Sequence, residues 1–357
     1  MRLRWLSVEG FRNLDAQRVD LSAPTTLLYG LNAQGKTNVL EAIYLLGTTR
    51  SFRDNRLRNL VKEGCETAQL EGEVENLGVS HRLSLSLSPK SKQYRKDGAA
   101  TPLTAYLPHL PVVVLSSEDG GLVSGVPRHR RDFLDATSVW RRPAYLDTLL
   151  SFGRTRIQRN EVLRTFTPRR APELDAWTKN FLEGAEKIRR ERLQTSLLIN
   201  QQLGELGRSL QVKERLSVAY RPSGGENLAD TLRRHREEEI RRGVGLVGPQ
   251  RDGLEIILDG KPIQAHGSSG QIRTALWLLK LARVQLLSER DSQPPVFLLD
   301  DVEVELDQVR IGQMMNLTRG KAQLVMTATR PLKVDWAKMS RFRVEAGRIM
   351  AEGQVRG

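Results

Sequence analysis

The stretch Leu27–Ala42 reads LLYGLNAQGKTNVLEA. It sets Gly30 and Gly35 at the ends of a short turn, with Lys36 and Thr37 directly after. This is the spacing G-x-x-x-x-G-K-S/T of a phosphate loop. Glycine is required because the backbone must curl tightly enough to aim successive N–H groups inward. Those donors and the N-terminus of the following helix hold phosphate oxygens. Lys36 is placed to reach β- and γ-phosphates, and the Thr37 hydroxyl to bind Mg²⁺. The flanks agree: Thr25–Tyr29 reads as a strand, and Asn38 to Leu46 has helical apolar spacing. Gly30, Leu31, Asn32, Ala33, Gln34, Gly35, Lys36, Thr37 and Asn38 are therefore the candidate contacts to a nucleotide such as ATP.

A second element is expected wherever a phosphate loop works, an apolar strand ending in a carboxylate. Val296–Leu299 followed by Asp300 supplies it. Asp300 would hold Mg²⁺ beside Thr37. Asp301 would orient or deprotonate the attacking water, so Lys36, Asp300 and Asp301 form the candidate catalytic set. Lys36 and Asp300 lie 300 − 36 = 264 residues apart. That distance implies whole lobes inserted between them. Shortly before the carboxylates comes Ser268-Ser269-Gly270-Gln271, opening an amphipathic helix from Ile272 to about Leu287. One reading is a capping box, with Ser268 and Gln271 satisfying each other's backbone N–H. The other is that this capped helix end faces the γ-phosphate held by a second molecule.

The chain has 357 residues, enough for two domains or one large domain with an insertion. Residues 1–116 alternate like β structure around the phosphate loop, with a half-buried strand at His81–Leu87, a turn signal at Asp97-Gly98 and a buried-strand run at Pro111–Leu115. From about Ser117 to Lys213 the pattern is helical, and Ala176, Phe181, Ala185, Ile188, Leu193, Leu197, Leu198 and Leu203 suggest a continuous apolar face. Strand signals return at 216–220, 254–258, 296–299 and 323–326, with a terminal hairpin over 342–350. The expectation is a discontinuous α/β head (1–116 and 214–357), made of a mixed sheet and an antiparallel β lobe, with a helical arm at 117–213. Cys65 is the sole cysteine, which excludes an intramolecular disulfide and a cysteine-based zinc site. No apolar run reaches about 18 residues, so no membrane span is expected, and the location expected is the cytoplasm, at the nucleoid.

The formal net charge is +14, with Arg far outnumbering Lys. This fits an anionic partner, nucleic acid before acidic lipid, or a codon bias toward Arg. Residues 141–170 hold Arg141, Arg142, Arg154, Arg156, Arg159, Arg164, Arg169 and Arg170 against Asp147 and Glu161. All but Arg164 are taken as candidate DNA contacts; the alternative is a solvated helix surface. No recognition-helix motif occurs, so binding would follow DNA shape and phosphates rather than base identity.

The motif order resembles the ABC-type ATPase heads of the SMC-like group and, within it, the RecF family of recombination mediators. The residues that carry it are Ser51-Phe52-Arg53, Ser117-Glu118-Asp119, Arg130-Arg131-Asp132-Phe133-Leu134-Asp135, Gly248-Pro249-Gln250-Arg251-Asp252 and Val304-Glu305-Leu306-Asp307. The resemblance implies two heads sandwiching two ATP molecules, Ser268 and Gly270 of one completing the site around Lys36 of the other. It implies binding of double-stranded and gapped DNA, cooperation with RecO and RecR in loading RecA, and slow, DNA-promoted hydrolysis. Asp301 stands where such heads usually carry Glu, and Val304 where serine is common. No histidine follows the 323–326 strand, leaving Thr327 and Thr329 as the nearest polar candidates for a γ-phosphate switch. The rival readings are a transporter-type nucleotide-binding subunit and a DNA-binding protein that holds ATP without turnover.

Overall fold

A computed structural model describes residues 1–54, 56–289, 294–305, 308–332 and 339–352. The chain divides into two compact units, Met1–Gly120 with Arg273–Gly357, and Gly121–Ile272. The first unit begins with β1 (Arg2–Glu9), β2 (Gln17–Asp20), β3 (Thr25–Tyr29) and α1 (Lys36–Thr48). It continues through β4 (Ala68–Asn76), β5 (Val79–Leu87), β6 (Lys92–Lys96), β7 (Ala99–Ala100), the short α2 (Leu103–Tyr106) and β8 (Val112–Leu115). The second contains α3 (Gly120–Ser124), α4 (Pro127–Arg141), α5 (Tyr145–Arg164), α6 (Ala171–Ser209), β9 (Leu216–Arg221), α7 (Leu228–Arg242), β10 (Gly253–Leu258), β11 (Lys261–Pro262) and α8 (Ile263–His266). The chain then returns to the first unit through α9 (Ser269–Ser288), β12 (Val296–Leu299), α10 (Val302–Glu305), α11 (Gln308–Thr318), β13 (Gln323–Ala328), β14 (Met339–Glu345) and β15 (Arg348–Ala351).

Two six-stranded sheets build the first unit, an antiparallel one ordered β2-β1-β4-β5-β6-β7 and a mixed one ordered β15-β14-β3-β13-β12-β8. In the mixed sheet β14, β3, β13, β12 and β8 run parallel, and β15 is an antiparallel edge. The central strands are covered on both faces, which is why VVVL of β8 and VFLL of β12 are unbroken apolar runs with every residue buried. Helix α1 packs on β8 and β13 on one side and on β4 and β5 on the other. The Tyr106 hydroxyl donates to the Leu46 carbonyl at 2.8 Å beside it. Gln323, buried in β13, joins the sheets: its Oε1 accepts from Leu3 N at 2.7 Å and its Nε2 donates to Leu3 O at 2.9 Å. An amide can close such a two-way bridge because it carries both a donor and an acceptor. The 97–98 turn forms as expected, with Asp97 and Gly98 at φ 51° and 81°.

In the second unit α5 and α6 make an antiparallel hairpin, with Phe152 against Phe181 at 4.9 Å between ring centroids. At 39 residues α6 spans about 58 Å. Its buried face departs from the sequence expectation. Phe181, Ala185, Ile188 and Leu203 are buried, but Ala176, Leu193 and Leu197 are exposed. Glu191, Arg192, Thr195, Ser196 and Gln202 take the interior positions instead. The helix turns a polar stripe inward because its neighbours offer partners: Arg192 clamps both oxygens of Asp135 at 2.8 Å and reaches Asp252 at 3.1 Å. Strand β9 also packs on α6, through Asn200 bonding both the N–H and C=O of Val218 at 2.8 Å. By contacts, then, residues 214–272 group with the helices rather than with the sheets.

Candidate functional site

The site forms where β3, β12 and β13 end side by side, at the carboxyl edge of a parallel sheet where open α/β folds leave a crevice. β3 runs into Gly30, where a Cβ would lie 2.3 Å from the Val344 carbonyl oxygen. The turn then passes through left-handed Ala33 (φ 63°) and Gly35 (φ 109°), and Gly35 is the N-cap of α1. At Gly35 a side chain would be both strained and crowded, with Asn13 Oδ1 and Leu14 Cδ2 at 3.0 Å from a Cβ. The turn is braced from outside: Gln34 Oε1 accepts from Ala346 N at 2.6 Å and Gln34 O from Gly347 N at 3.0 Å. Gln34 thus holds the loop's shape with both of its oxygens.

Lys36 is buried, and its ammonium donates to the carbonyls of Gly30 and Leu31 at 2.8 and 2.9 Å. These neutral acceptors are ones a phosphate oxygen would outcompete, since a charged acceptor forms the stronger bond. Asn38 accepts from Arg53 Nη1 at 2.9 Å and donates to Asn13 Oδ1 at 2.7 Å. A cavity of about 510 Å³ opens over the loop, lined by Lys36, Thr37, Asn32, Asp301, Arg12 and Arg53 among others.

Thr37 and Asp300, far apart in sequence, meet: the Thr37 hydroxyl donates to Asp300 Oδ1 at 2.9 Å. The same oxygen accepts from Thr327, at the end of β13, at 2.8 Å. Burial raises the Asp300 pKa above its ordinary value, against the pull of the two hydroxyls. Asp301 sits at φ 44°, a strained position for a non-glycine residue, and its N–H donates to Thr327 Oγ1 at 2.7 Å. Its Oδ1 is buried without a hydrogen-bond partner, a state that costs energy unless a ligand or water completes it.

No group of three or more His, Cys, Asp or Glu that could hold a metal occurs among the described residues. One hydroxyl beside one carboxylate does suit Mg²⁺, which keeps water and phosphate oxygens as most of its ligands. The residues present therefore fit a Mg²⁺–nucleotide group: Thr37 and Asp300 could hold the metal, Lys36 could meet the phosphates, and the unpaired Asp301 oxygen leaves an acceptor to be filled.

Arg12, Asn13 and Arg53 were not among the candidate contacts, yet all three line the cavity. Behind them lies Glu41, one helical turn beyond Thr37 and fully buried. Glu41 takes Arg12 bidentately at 2.8 and 2.9 Å and also accepts from the Ser51 hydroxyl. An acidic residue inside α1 was the available signal, and Ser51-Phe52-Arg53 was noted without a role. Thr329, a candidate γ-phosphate contact, is engaged otherwise here: its N–H and Oγ1 donate to Glu303 Oε2 at 3.0 and 2.6 Å. Leu306 and Asp307 lie outside the described residues.

Ser268–Gln271 belong to the second unit and form the expected capping box. Gln271 N donates to Ser268 Oγ at 3.2 Å and Ser268 N to Gln271 Oε1 at 2.9 Å. Ser268, Ser269 and Gly270 are exposed. Arg130–Asp135 and Gly248–Asp252, noted as motifs, converge in that unit's interior, where Asp135 and Asp252 both hold Arg192.

The candidate DNA contacts divide. Arg159 is 3 % exposed and pairs with fully buried Glu239 at 2.6 Å, over the face of Phe181. It holds the fold together and is not presented to DNA, which corrects the sequence reading; an arginine count cannot tell a solvent-facing position from one facing α7. Arg141 and Arg142 meet Glu191 at 3.7 and 3.0 Å, and Arg170 pairs with Glu173 at 2.8 Å. Arg154, Arg156 and Arg169 form no ion pair among the described residues, and Arg154 and Arg169 are exposed.

A family profile described as "RecF/RecN/SMC N terminal domain" matches residues 2–346. The "DNA replication and repair protein RecF" of Synechococcus sp. (strain JA-3-3Ab) is 35 % identical over 92 % of this chain and 91 % of its own length. That of Geotalea daltonii is 31 % identical over 98 % of this chain and 100 % of its own. Among solved structures, one titled "Structure of the recombination mediator protein RecF-ATP in RecFOR pathway" superposes with a TM-score of 0.90 at 27 % identity, covering 99 % of this chain and 98 % of the other. An SMC head bound to a ScpA domain shares the fold alone, with a TM-score of 0.57 at 16 % identity. An α/β ATPase head with a helical insertion, matched over nearly its whole length at this identity, makes the chain a member of the RecF family.

Proposed function

We propose that the chain binds Mg²⁺–ATP in the cavity over the phosphate loop, pairs with a second copy around two nucleotides, and in that state holds DNA at gaps and single-strand/double-strand junctions. What supports the reading most is the joining of Thr37, Asp300 and Asp301 across the sheet, with one Asp301 oxygen buried and unpaired. Lys36 exchanges its two loop carbonyls for phosphate oxygens. Thr37 and Asp300 would hold Mg²⁺, which would supply charge neutralisation to the phosphates. Asp301 orients the attacking water and takes its proton as the water oxygen bonds to the γ-phosphorus and the bond to ADP breaks, leaving ADP and phosphate. Aspartate is one methylene shorter than the glutamate usual at this place, which fits slow turnover. Ser268 and Gly270 present the capped end of α9 to the γ-phosphate held by the partner copy, so the nucleotide contributes contacts to the closed dimer alone.

RecO and RecR would be partners, as the RecFOR pathway named for the solved relatives supports, and the loading of RecA would be the step they serve. No helix among the described residues is long and apolar enough to cross a membrane. The chain would act in the cytoplasm, on nucleoid DNA. As functional parts, 117–213 would serve as the arm and the flanking segments as the head. The test is phosphate release with and without gapped DNA, on the wild type and on Asp301→Asn. Slow release, raised by DNA and abolished in the variant, supports the reading. No release from ATP under any condition leaves a nucleotide-holding DNA protein and overturns the hydrolytic part.

A further inference from the structure

Thr327 has no assigned part in the scheme above, yet it touches both carboxylate residues of the site. Its side chain is fully buried at the end of β13. A hydroxyl carries one proton and can accept others. Because a backbone N–H can only donate, the 2.7 Å contact from Asp301 N fixes Thr327 Oγ1 as acceptor there. Its proton therefore points to Asp300 Oδ1, 2.8 Å away. The Thr327 hydroxyl donates and accepts at the neighbouring strand end.

We infer that Thr327 is a positioning residue for metal binding and hydrolysis. By donating to Oδ1 together with Thr37, it orients the Asp300 carboxylate and leaves Oδ2 for the metal side. By accepting from Asp301 N, it holds that residue at φ 44°, the backbone setting that carries its unpaired Oδ1. One hydroxyl thus keeps the metal-holding and water-holding carboxylates in a fixed relation. This rests on the Mg²⁺–ATP reading of the site.

The test uses three variants of the full chain. Thr327→Val is nearly isosteric and removes both hydrogen bonds, Thr327→Ala removes them without adding a methyl, and Thr327→Ser keeps the hydroxyl. Binding of a fluorescent ATP analogue is measured in EDTA and across a Mg²⁺ titration, alongside melting curves and steady-state hydrolysis. We expect Thr327→Val to bind the analogue normally in EDTA, to need about tenfold more Mg²⁺ for half-saturation, and to lose kcat with little change in KM. Thr327→Ser should lie within about twofold of the wild type, as expected when the hydroxyl's bonds to Asp300 and Asp301 are retained. If Thr327→Val does not melt like the wild type, Thr327→Ala is read by the same criteria. A hydroxyl-free variant with wild-type Mg²⁺ dependence and kcat overturns the inference. A wild type whose analogue binding ignores Mg²⁺ overturns the underlying reading instead.

Discussion

Among single residues, Lys36 and Asp300 carry the sharpest consequences. Lys36 rests on carbonyls that any phosphate would displace. Lys36→Ala should weaken ATP binding roughly tenfold to a hundredfold, the value of one charge-assisted hydrogen bond, as read by calorimetry. Asp300 must be ionised to hold a cation, and burial raises its pKa. Its metal affinity should therefore fall on acidification sooner than an ordinary carboxylate's would. A Mg²⁺ half-saturation that stays flat from pH 7.5 down to the range where free aspartate titrates would contradict this. His109 shows the opposite displacement. Burial, followed by the charges of Lys96 and His81, lowers its pKa from 6.5 to about 4. The folded chain resists protonating it where the unfolded chain does not. The stability it confers is in place above pH 6.5 and is lost as the pH falls through about 4. Melting curves of His109→Gln should be less pH-dependent than wild type across that window.

At the level of elements, α6 and α9 make separate predictions. Arg192 is a buried cation shared by Asp135 and Asp252. Truncating it to Met takes this cation from buried Asp252 and half-buried Asp135 and should cost about 3–5 kcal/mol in denaturant unfolding. Ser268→Ala removes the α9 cap and should cost about 1 kcal/mol. A loss of ATP-dependent closure beyond that would report the cross-subunit role. These two helices also show what the sequence could and could not convey. The α9 cap was readable because Ser268 and Gln271 sit at a fixed spacing and act within one turn. The phosphate loop and the strand ending at Asp300 were readable for the same local reason. The inward face of α6 was not, because its polar residues are buried only on account of partners on α4, on β9 and before β10. Glu41 escaped similarly, because its pairing with Arg12 spans 29 residues, and Thr327, singled out only as a polar group near the γ-phosphate, meets Asp300 across 27 residues that no local pattern marks.

For the whole molecule, the +14 charge is spread unevenly among partners. Arg159, Arg141, Arg142 and Arg170 answer carboxylates, whereas Arg154, Arg156 and Arg169 form no ion pair among the described residues. Reversing Arg154 and Arg156 together should lower the salt dependence of DNA affinity by about 0.9 per lost contact while leaving the melting transition in place. Both units would have to work together in pairs, since the phosphate loop lies in one and the capped helix start in the other. Light scattering in three nucleotide states tests that pairing most directly. Without nucleotide and with ADP the protein should have the mass of one chain, and with a non-hydrolysable ATP analogue the mass of two. A single-chain mass under saturating analogue, with DNA and without it, would contradict the account.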